Sequence, residues 1–434
     1  MNTEYILKGA RVVDPSRKLD EKIDIGISDG KICPPEKVKN PVIVKLNGKI
    51  VAPGFIDLHV HLRQPGRSDK ETIRTGTMAA AAGGFTSIVA MPNTSPPADS
   101  QSAIEYVKGH AEREGAVKVF IAGCITKGQE GKEMAGIGGL RKAGVVAITD
   151  DGKCVHNHEI MKHVLEYSKS FKMPIFDHCE DETLSGGGVM HEGYWSTVLG
   201  LRGIPAESEE LMVSRDIILA EKVGWKVHIQ HVSSAGSLRL IRDAQRRKLQ
   251  ITCEVTPHHI ALTDEKVKTF DTNYKMNPPL RSEEHRLALI SGLVDGTITA
   301  IATDHAPHTE TEKLVEFDYA PFGIVGLETA VSICLTELYH KEQLDLMSFI
   351  SKFTDGPAKI LGIDSIARLD DGTSADITIL DLDHEHVIDP NSFFSKSRNT
   401  PFGGWKVKGR AAATIVNGRF VFSSIPGVPA LIKT

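Results

Sequence analysis

The sequence predicts an α/β fold, a (β/α)8 TIM-like barrel with an accessory β-sandwich built from both chain ends. Three observations predict it. From about residue 54, eight short apolar runs alternate with helix-length amphipathic stretches. The segments before and after that region read as short strands separated by turn signals. Residue types that bind metals recur at the ends of several of the eight runs, where a barrel gathers its loops.

Residues 1–53 read as a small β unit, with strand-like stretches at 5–7, 10–14, 22–27 and 41–44. Ser28-Asp29-Gly30 and Asn47-Gly48 are turn signals between them. The apolar runs that follow lie at 55–58, 87–90, 117–122, 145–148, 175–176, 227–229, 251–255 and 298–302. Helical candidates between them span 71–82, 103–114, 159–170, 209–223, 238–247 and 284–294. An open doubly wound sheet is the alternative. No Gly-x-Gly-x-x-Gly follows the first run, and ligand-type residues at several run ends suit a closed ring better. Residues 330–362 look helical. Strands return at 375–380, 406–408 and 413–416, and Asn417-Gly418 is a hairpin turn into 419–422. Each flank is too small to hold a core. The expected division is therefore a sandwich of 1–53 with 363–434, packed beside a metal-dependent barrel of 54–362.

Composition narrows the class. The chain has 434 residues, 41% hydrophobic and 25% charged, as expected of a globular protein and not of a disordered or fibrous one. A net charge of -5 argues against nucleic acid as a partner. The basic run Arg246-Arg247-Lys248 is short and reads as a solvated helix end. Six cysteines at irregular spacing, with no Cys-x-x-Cys pair, fit a reducing compartment. Cys154 and Cys179 are expected to be buried structural thiols. Met1-Asn2-Thr3-Glu4 has no leader character, and no apolar run approaches the ~18–20 residues that cross a bilayer. A cytoplasmic protein without membrane contact is expected.

The stretch Gly54–Arg63 organises the chemistry. On a strand, side chains two apart share a side, so His59 and His61 face one point and Arg63 follows on the same face. Ile56, Leu58 and Val60 would face the other way, into a core. Later runs end in Met91-Pro92-Asn93, Thr149-Asp150-Asp151-Gly152, Asp177-His178-Cys179, Gln230-His231-Val232 and Thr303-Asp304-His305-Ala306-Pro307-His308. Four histidines and two carboxylates exceed one tetrahedral zinc site. They suit two zinc ions about 3.5–4 Å apart that share a carboxylate. Such a pair brings the pKa of bound water towards neutrality and polarises a carbonyl, which implies hydrolysis of an amide-like or ester bond. Asp304 could take the proton from the nucleophile and pass it to a leaving nitrogen. Plainer readings exist for each residue. His59 and His61 could be hydrogen-bonded on a polar face, and His178 could sit in a core. Asp151 and Asp304 could be helix N-caps. Spacing does not separate Asp151 from Asp150, or Asp304 from His305. His156, His158, His163, His258, His259 and His285 fall outside the pattern and read as structural or surface residues.

With these residues placed, the chain resembles the amidohydrolase superfamily and, within it, the dihydroorotases of the long, type I bacterial kind. The resemblance spans nearly the whole length. It rests on Pro53–Arg63, Met91–Thr94, Ile148–Gly152, Gly200–Ala206, Ala302–His308 and the tail Asn399-Thr400-Pro401-Phe402-Gly403-Gly404-Trp405. It implies two Zn2+ per subunit, one held by His59, His61, Asp151 and Asp304, the other by Asp151, His178 and His231. That would settle Asp151 over Asp150 and Asp304 over His305. Many relatives bridge their metals with a carboxylated lysine; here Lys153 lies beyond that point, which weighs against hydantoinases and allantoinases. Arg63 and Asn93 would bind a ring carboxylate, with His308 assisting. Asn277 would meet the pyrimidine ring, Phe322 and Gly323 would give backbone contacts, and the loop 309–322 would be a mobile lid. The implied activity is reversible hydrolysis of dihydroorotate to N-carbamoyl-L-aspartate in de novo pyrimidine biosynthesis. Alternatives are another cyclic-amide hydrolase of the allantoinase or hydantoinase type, or an inactive scaffold for aspartate transcarbamoylase, against which stands the complete ligand set. A homodimer and association with aspartate transcarbamoylase are both compatible with the resemblance.

Overall fold

Eight strands follow the eight apolar runs: β1 (Phe55–Val60), β2 (Phe85–Ala90), β3 (Lys118–Gly123), β4 (Ala147–Ile148), β5 (Ile175–Asp177), β6 (Val227–Ile229), β7 (Ile251–Val255) and β8 (Ala300–Ile301). Each pairs in parallel with its neighbour in sequence. A parallel bridge between Val60 and His305 joins the two ends of the sheet, and the His61 N–H donates to the His305 carbonyl at 2.9 Å. The sheet is therefore a ring. Strands covered on both faces carry unbroken apolar runs rather than alternation, which is why these segments stood out. The computed structural model describes residues 3–433. Met1, Asn2 and Thr434 lie outside the described residues, and with them the start of the stretch read for a leader.

Helices α1 (Ile73–Ala82), α2 (Gln101–Glu114), α3 (Ile137–Ala143), α4 (His158–Ser170), α5 (Glu207–Val223), α6 (Ala235–Arg246) and α7 (Glu283–Val294) fall between the strands. Thr72, Ser100, Asn157 and Ser234 cap four of them by accepting first-turn N–H groups. The sequence reading passes over α3, whose Ile137-Gly138-Gly139 start hides its helical character. Residues 330–362 form several short helices, the last at Asp355–Leu361.

One expectation fails at β1. Ile56 and Leu58 share an apolar cluster with Ala147, Phe176 and Ala300, whereas Val60 belongs to the cluster of Leu62 and Ile73. A register irregularity between Asp57 and Val60 interrupts the simple alternation, as an extra residue in a strand does.

The chain ends build two further sheets. One orders Lys31–Cys33, Ile25–Ser28, Tyr5–Lys8 and Val42–Lys45; the other runs Ile432–Lys433, Arg419–Ser423, Lys406–Val416, Ile377–Val387, Ile50–Pro53, Arg11–Asp14 and Leu19–Lys22. The ends meet where Ile377–Val387 pairs antiparallel with Ile50–Pro53. Leu7, Ile27, Val51, Ile377, Ile415 and Phe420 form one core between the sheets. Several strand bounds differ from expectation: 22–27 is split between two strands, the strand expected at 375–380 runs Ile377–Val387, and 406–416 is one continuous strand. Among the described residues, all six cysteines are free thiols and no helix is long and apolar enough to cross a membrane.

Candidate active site

The loops at the C-terminal ends of the barrel strands surround a cavity of about 240 Å³. Its walls include His61, Arg63, Asn93, Asp151, His178 and His231. Asn277, Asp304, His308, Phe322 and Gly323 complete the set of candidates that line it. His59, fully buried, does not line it directly.

Asp151 is the centre. His59 Nε2 lies 3.1 Å from its Oδ1, and His61 Nε2 lies 3.3 Å from its Oδ2. His178 Nδ1 and His231 Nε2 approach Oδ1 at 3.8 and 3.7 Å and lie 2.8 Å from each other. Asp304 Oδ1 stands 3.1 Å from His61 Nε2 and 3.5 Å from His59 Nε2. Asp304 and His231 both adopt positive φ, at 48° and 31°, which is uncommon outside glycine. These turns aim the side chains inward just past the strand ends.

Asp150 and His305 turn elsewhere. Asp150 accepts the N–H groups of Ile125 at 2.9 Å and Thr126 at 3.1 Å, which fixes the loop after β3. His305 Nε2 faces Glu71 at 3.3 Å, and its Nδ1 accepts the Gly326 N–H.

The proton positions on the rings decide whether the cluster suits a cation. His59 Nδ1 meets Glu254 Oε1 at 3.0 Å, His61 Nδ1 meets Asn93 Oδ1 at 2.8 Å, and His178 Nε2 meets Glu180 Oε2 at 3.0 Å. Each outer partner accepts a proton, so each inner nitrogen presents a lone pair to Asp151 or Asp304. Lone pairs facing carboxylates repel unless positive charge lies between them. His59 Nε2 and Asp151 Oδ1, both buried, have no hydrogen-bond partner. A proton is the other positive charge that can stand there: burial opposes it on His59, yet Asp151 and Asp304 outweigh burial and raise the His59 pKa well above the usual value, so ring and carboxylates call for a cation between them, proton or metal. Burial likewise opposes charge on Asp151 and Asp304, and the facing histidines pull both below the ordinary carboxylate range. Two groups, His59-His61-Asp151 and Asp151-His178-His231, have the spacing of metal ligands and share Asp151. The residues fit a metal centre.

The opposite side of the cavity is suited to an anion. The Arg63 Nε–H donates to the Pro307 carbonyl at 3.3 Å. His308 accepts at Nδ1 from the Lys70 ammonium at 3.2 Å and donates from Nε2 to the Phe322 carbonyl at 2.8 Å. Burial, with Arg63 and Lys70 nearby, depresses its pKa to about 3, so the ring is neutral. The Asn277 amide donates to Glu180 Oε2 at 2.7 Å, which ties it to His178 through one oxygen. Gly323 has φ +120°, and a Cβ there would come within 2.6 Å of the Ala306 Cβ. Only glycine lets these two segments approach so closely.

The loop expected to be a mobile lid packs against the segment 272–275 and, through Glu312, against Arg67 and Lys70. It contains a short helix, Glu310–Lys313, and buried lysines pin it. Lys313 Nζ donates to the carbonyls of Thr272 and Pro321 at 2.9 and 2.8 Å; Lys275 Nζ donates to those of Phe317 and Asp318 at 2.7 and 2.9 Å.

Sequence reasoning missed Glu180, Glu254 and Gln230. Glu254 had a signal, a carboxylate inside an apolar run. It takes His59 on one oxygen and His228 on the other, the latter at 3.1 Å. Glu180, two residues past His178, had the strand-alternation signal. Gln230 stands between Thr149 Oγ1 at 3.0 Å and His59 Nδ1 at 3.1 Å, and adjacency to His231 gave no hint of that.

Comparison with known proteins agrees with this architecture. The family model described as dihydro-orotase-like matches residues 48–237. A dihydroorotase of Pelotomaculum thermopropionicum is 53% identical over 422 residues, covering 96% of this chain and 98% of that protein. One from Acetivibrio thermocellus is 49% identical over 419 residues, covering 96% and 98%. Among solved structures, an L-hydantoinase (dihydropyrimidinase) from Arthrobacter aurescens superposes with a TM-score of 0.88 at 25% identity, covering 99% of this chain and 98% of that one. Fold and relatives together define the class as cyclic amidohydrolase, an enzyme acting on small molecules. Within that class, the chain belongs to the dihydroorotase family.

Proposed function

We propose that the enzyme reversibly hydrolyses L-dihydroorotate to N-carbamoyl-L-aspartate in pyrimidine biosynthesis, with two zinc ions per subunit. The observation that carries this reading is one small cavity that joins the lone pairs around Asp151 to a cationic end at Arg63. His59, His61, Asp151 and Asp304 would hold one ion, and Asp151, His178 and His231 the other. Bound there, the metals would activate water and polarise the ring carbonyl. Arg63 and Asn93 hold the ring carboxylate, and the charged guanidinium gives both attraction and direction. Neutral His308 adds a contact without competing for the charge. Asn277, oriented by Glu180, meets the pyrimidine ring. The Phe322 carbonyl and both backbone groups of Gly323 already bond within the protein, so the Phe322 N–H is the group of that pair that turns to the ligand. Asp304 takes a proton from the attacking water. As the ring C–N bond breaks, Asp304 returns that proton to the departing nitrogen. In this reading residues 54–362 form the catalytic barrel, 1–53 with 363–434 form the accessory unit, and the enzyme works in the cytoplasm.

The test pairs metal analysis with a dihydroorotate hydrolysis assay, before and after chelation. Zinc near two per chain and activity lost on chelation and regained with zinc are expected. Full activity without metal would overturn the reading, as would hydantoin or dihydrouracil turned over in preference to dihydroorotate.

A further inference from the structure

The tail motif at Asn399 has no role in the chemistry above, although it is one of the stretches on which the resemblance rests. We propose that Asn399 is a positioning residue that sets the carboxylate-binding wall of the cavity; the proposal rests on the function proposed above. Asn399 is 5% exposed, and its side chain makes three hydrogen bonds. Its Oδ1 accepts the His308 N–H at 3.1 Å. Its Nδ2 donates to the carbonyls of Ala306 and Gly323, both at 3.1 Å. Its own carbonyl accepts the Val325 N–H at 2.9 Å. One amide thus clamps the segment carrying His308 to the segment carrying Phe322 and Gly323, and both line the cavity.

The clamp is itself held rigidly. Ser395 Oγ donates to Glu71 at 2.5 Å, and Ser397 Oγ donates to the Lys70 carbonyl at 2.8 Å. Lys70 is the residue whose ammonium meets His308. On the other side Phe402, 1% exposed, packs edge-on against Trp405 in a cluster with Met276 and Ile324, the neighbours of Asn277 and Gly323. Residues 395–402 therefore form a strap across the anion end of the cavity. The side chains of Ser395, Ser397 and Asn399 donate to Glu71, Lys70, Ala306 and Gly323, none of which is a metal-ligand candidate. An amide suits the place because it offers an acceptor and a two-proton donor from one rigid plane. A carboxylate would set a charged oxygen against two carbonyls.

The experiment compares the zinc-loaded wild type with Asn399→Ala and the milder Asn399→Ser, which offers one hydroxyl in place of the amide. Steady-state kinetics with dihydroorotate, zinc content and backbone hydrogen exchange are read together. A rise in KM of about tenfold with kcat within about threefold is expected, because misplacement of binding groups weakens ground-state and transition-state binding alike. Zinc content should stay unchanged, and exchange should accelerate at His308 and Val325 but not along β5 and β6. Wild-type KM and wild-type protection at His308 in both variants would overturn the proposal. So would joint loss of zinc, kcat and protection across the barrel, which marks a merely structural residue. Hydrogen exchange needs no substrate. A wild type that ignores dihydroorotate would sink the proposed function, while exchange at His308 would still decide the clamp.

Discussion

Two buried clusters lie back to back at the end of β5, and both have the spacing of metal ligands. Asp151, His178 and His231 form one; Asp177, Cys179 and Asp216 form the other. Successive residues of one strand feed them alternately, His178 towards the barrel interior, Asp177 and Cys179 towards α5. The second cluster already contains its cation. Arg215 places one nitrogen 2.8 Å from Asp177 Oδ2 and Nε 2.6 Å from Asp216 Oδ1, and the Cys179 thiol donates to Asp216 at 3.4 Å. Burial and the Asp216 charge push the Asp177 carboxyl well above its usual range. The first cluster has no guanidinium or ammonium among its ligands, and it opens on a cavity. The difference teaches that ligand-type residues at ligand spacing mark a site only where the protein has not supplied the positive charge itself.

Four substitutions break or sharpen this contrast. Asp304→Asn acts on the open cluster and should lower kcat by about 10²- to 10⁴-fold, the usual share of a general acid–base group. Zinc content and melting temperature should stay near wild type; a variant of near-normal rate would end the proton-transfer role. Arg215→Met acts on the closed cluster and should do the reverse. It leaves the buried Asp177–Asp216 pair without its counterion and should cost about 3–5 kcal/mol in denaturant unfolding. Undiminished stability would mean the guanidinium is not the cation that distinguishes the clusters. Arg63→Ala should raise KM about 30-fold, corresponding to one charged hydrogen-bonding partner, with a smaller change in kcat. An unchanged KM would remove the anion end from the account.

The smallest effect concerns Glu328, which anchors the strap away from both clusters by accepting the N–H groups of Phe394 at 2.8 Å and Ser395 at 3.2 Å. Burial pushes its pKa up from 4.5 to about 7 despite those bonds. A carboxyl raised on folding favours the folded state most below its unfolded pKa, and that contribution is lost as pH rises through the folded value. Between pH 4.5 and 7 the wild type should therefore lose on the order of 2 kcal/mol relative to Glu328→Gln, allowing for partial solvent screening. Parallel stability curves for the two proteins across that window would contradict the shift.

Much of this was legible in the residues. The strands were readable because parallel strands buried on both faces need uninterrupted apolar runs. The candidate ligands were readable because they follow those runs directly, and the structure brings them around Asp151. Helix α3 was not, since two glycines at its start mask the pattern, and the irregularity at Asp57–Val60 was not, since no local residue type announces it. Glu180 and Glu254 were within reach, being carboxylates at telling positions, but nothing in their neighbours named the ring each would meet.

The sequence by itself determined which segments would be strands, which residues could bind a cation, and that an arginine, Arg63, follows the His-x-His pair. These are local matters of periodicity and chemical type. Only the tertiary structure decided which of two adjacent acids faces inward, which acidic cluster is already neutralised by Arg215, and that Asn399 reaches the cavity wall across more than ninety positions of chain from Ala306. Such choices depend on how closed strands and distant loops meet, and the direction of a side chain just past a strand end is fixed by its backbone turn and its partners rather than by its place in the sequence.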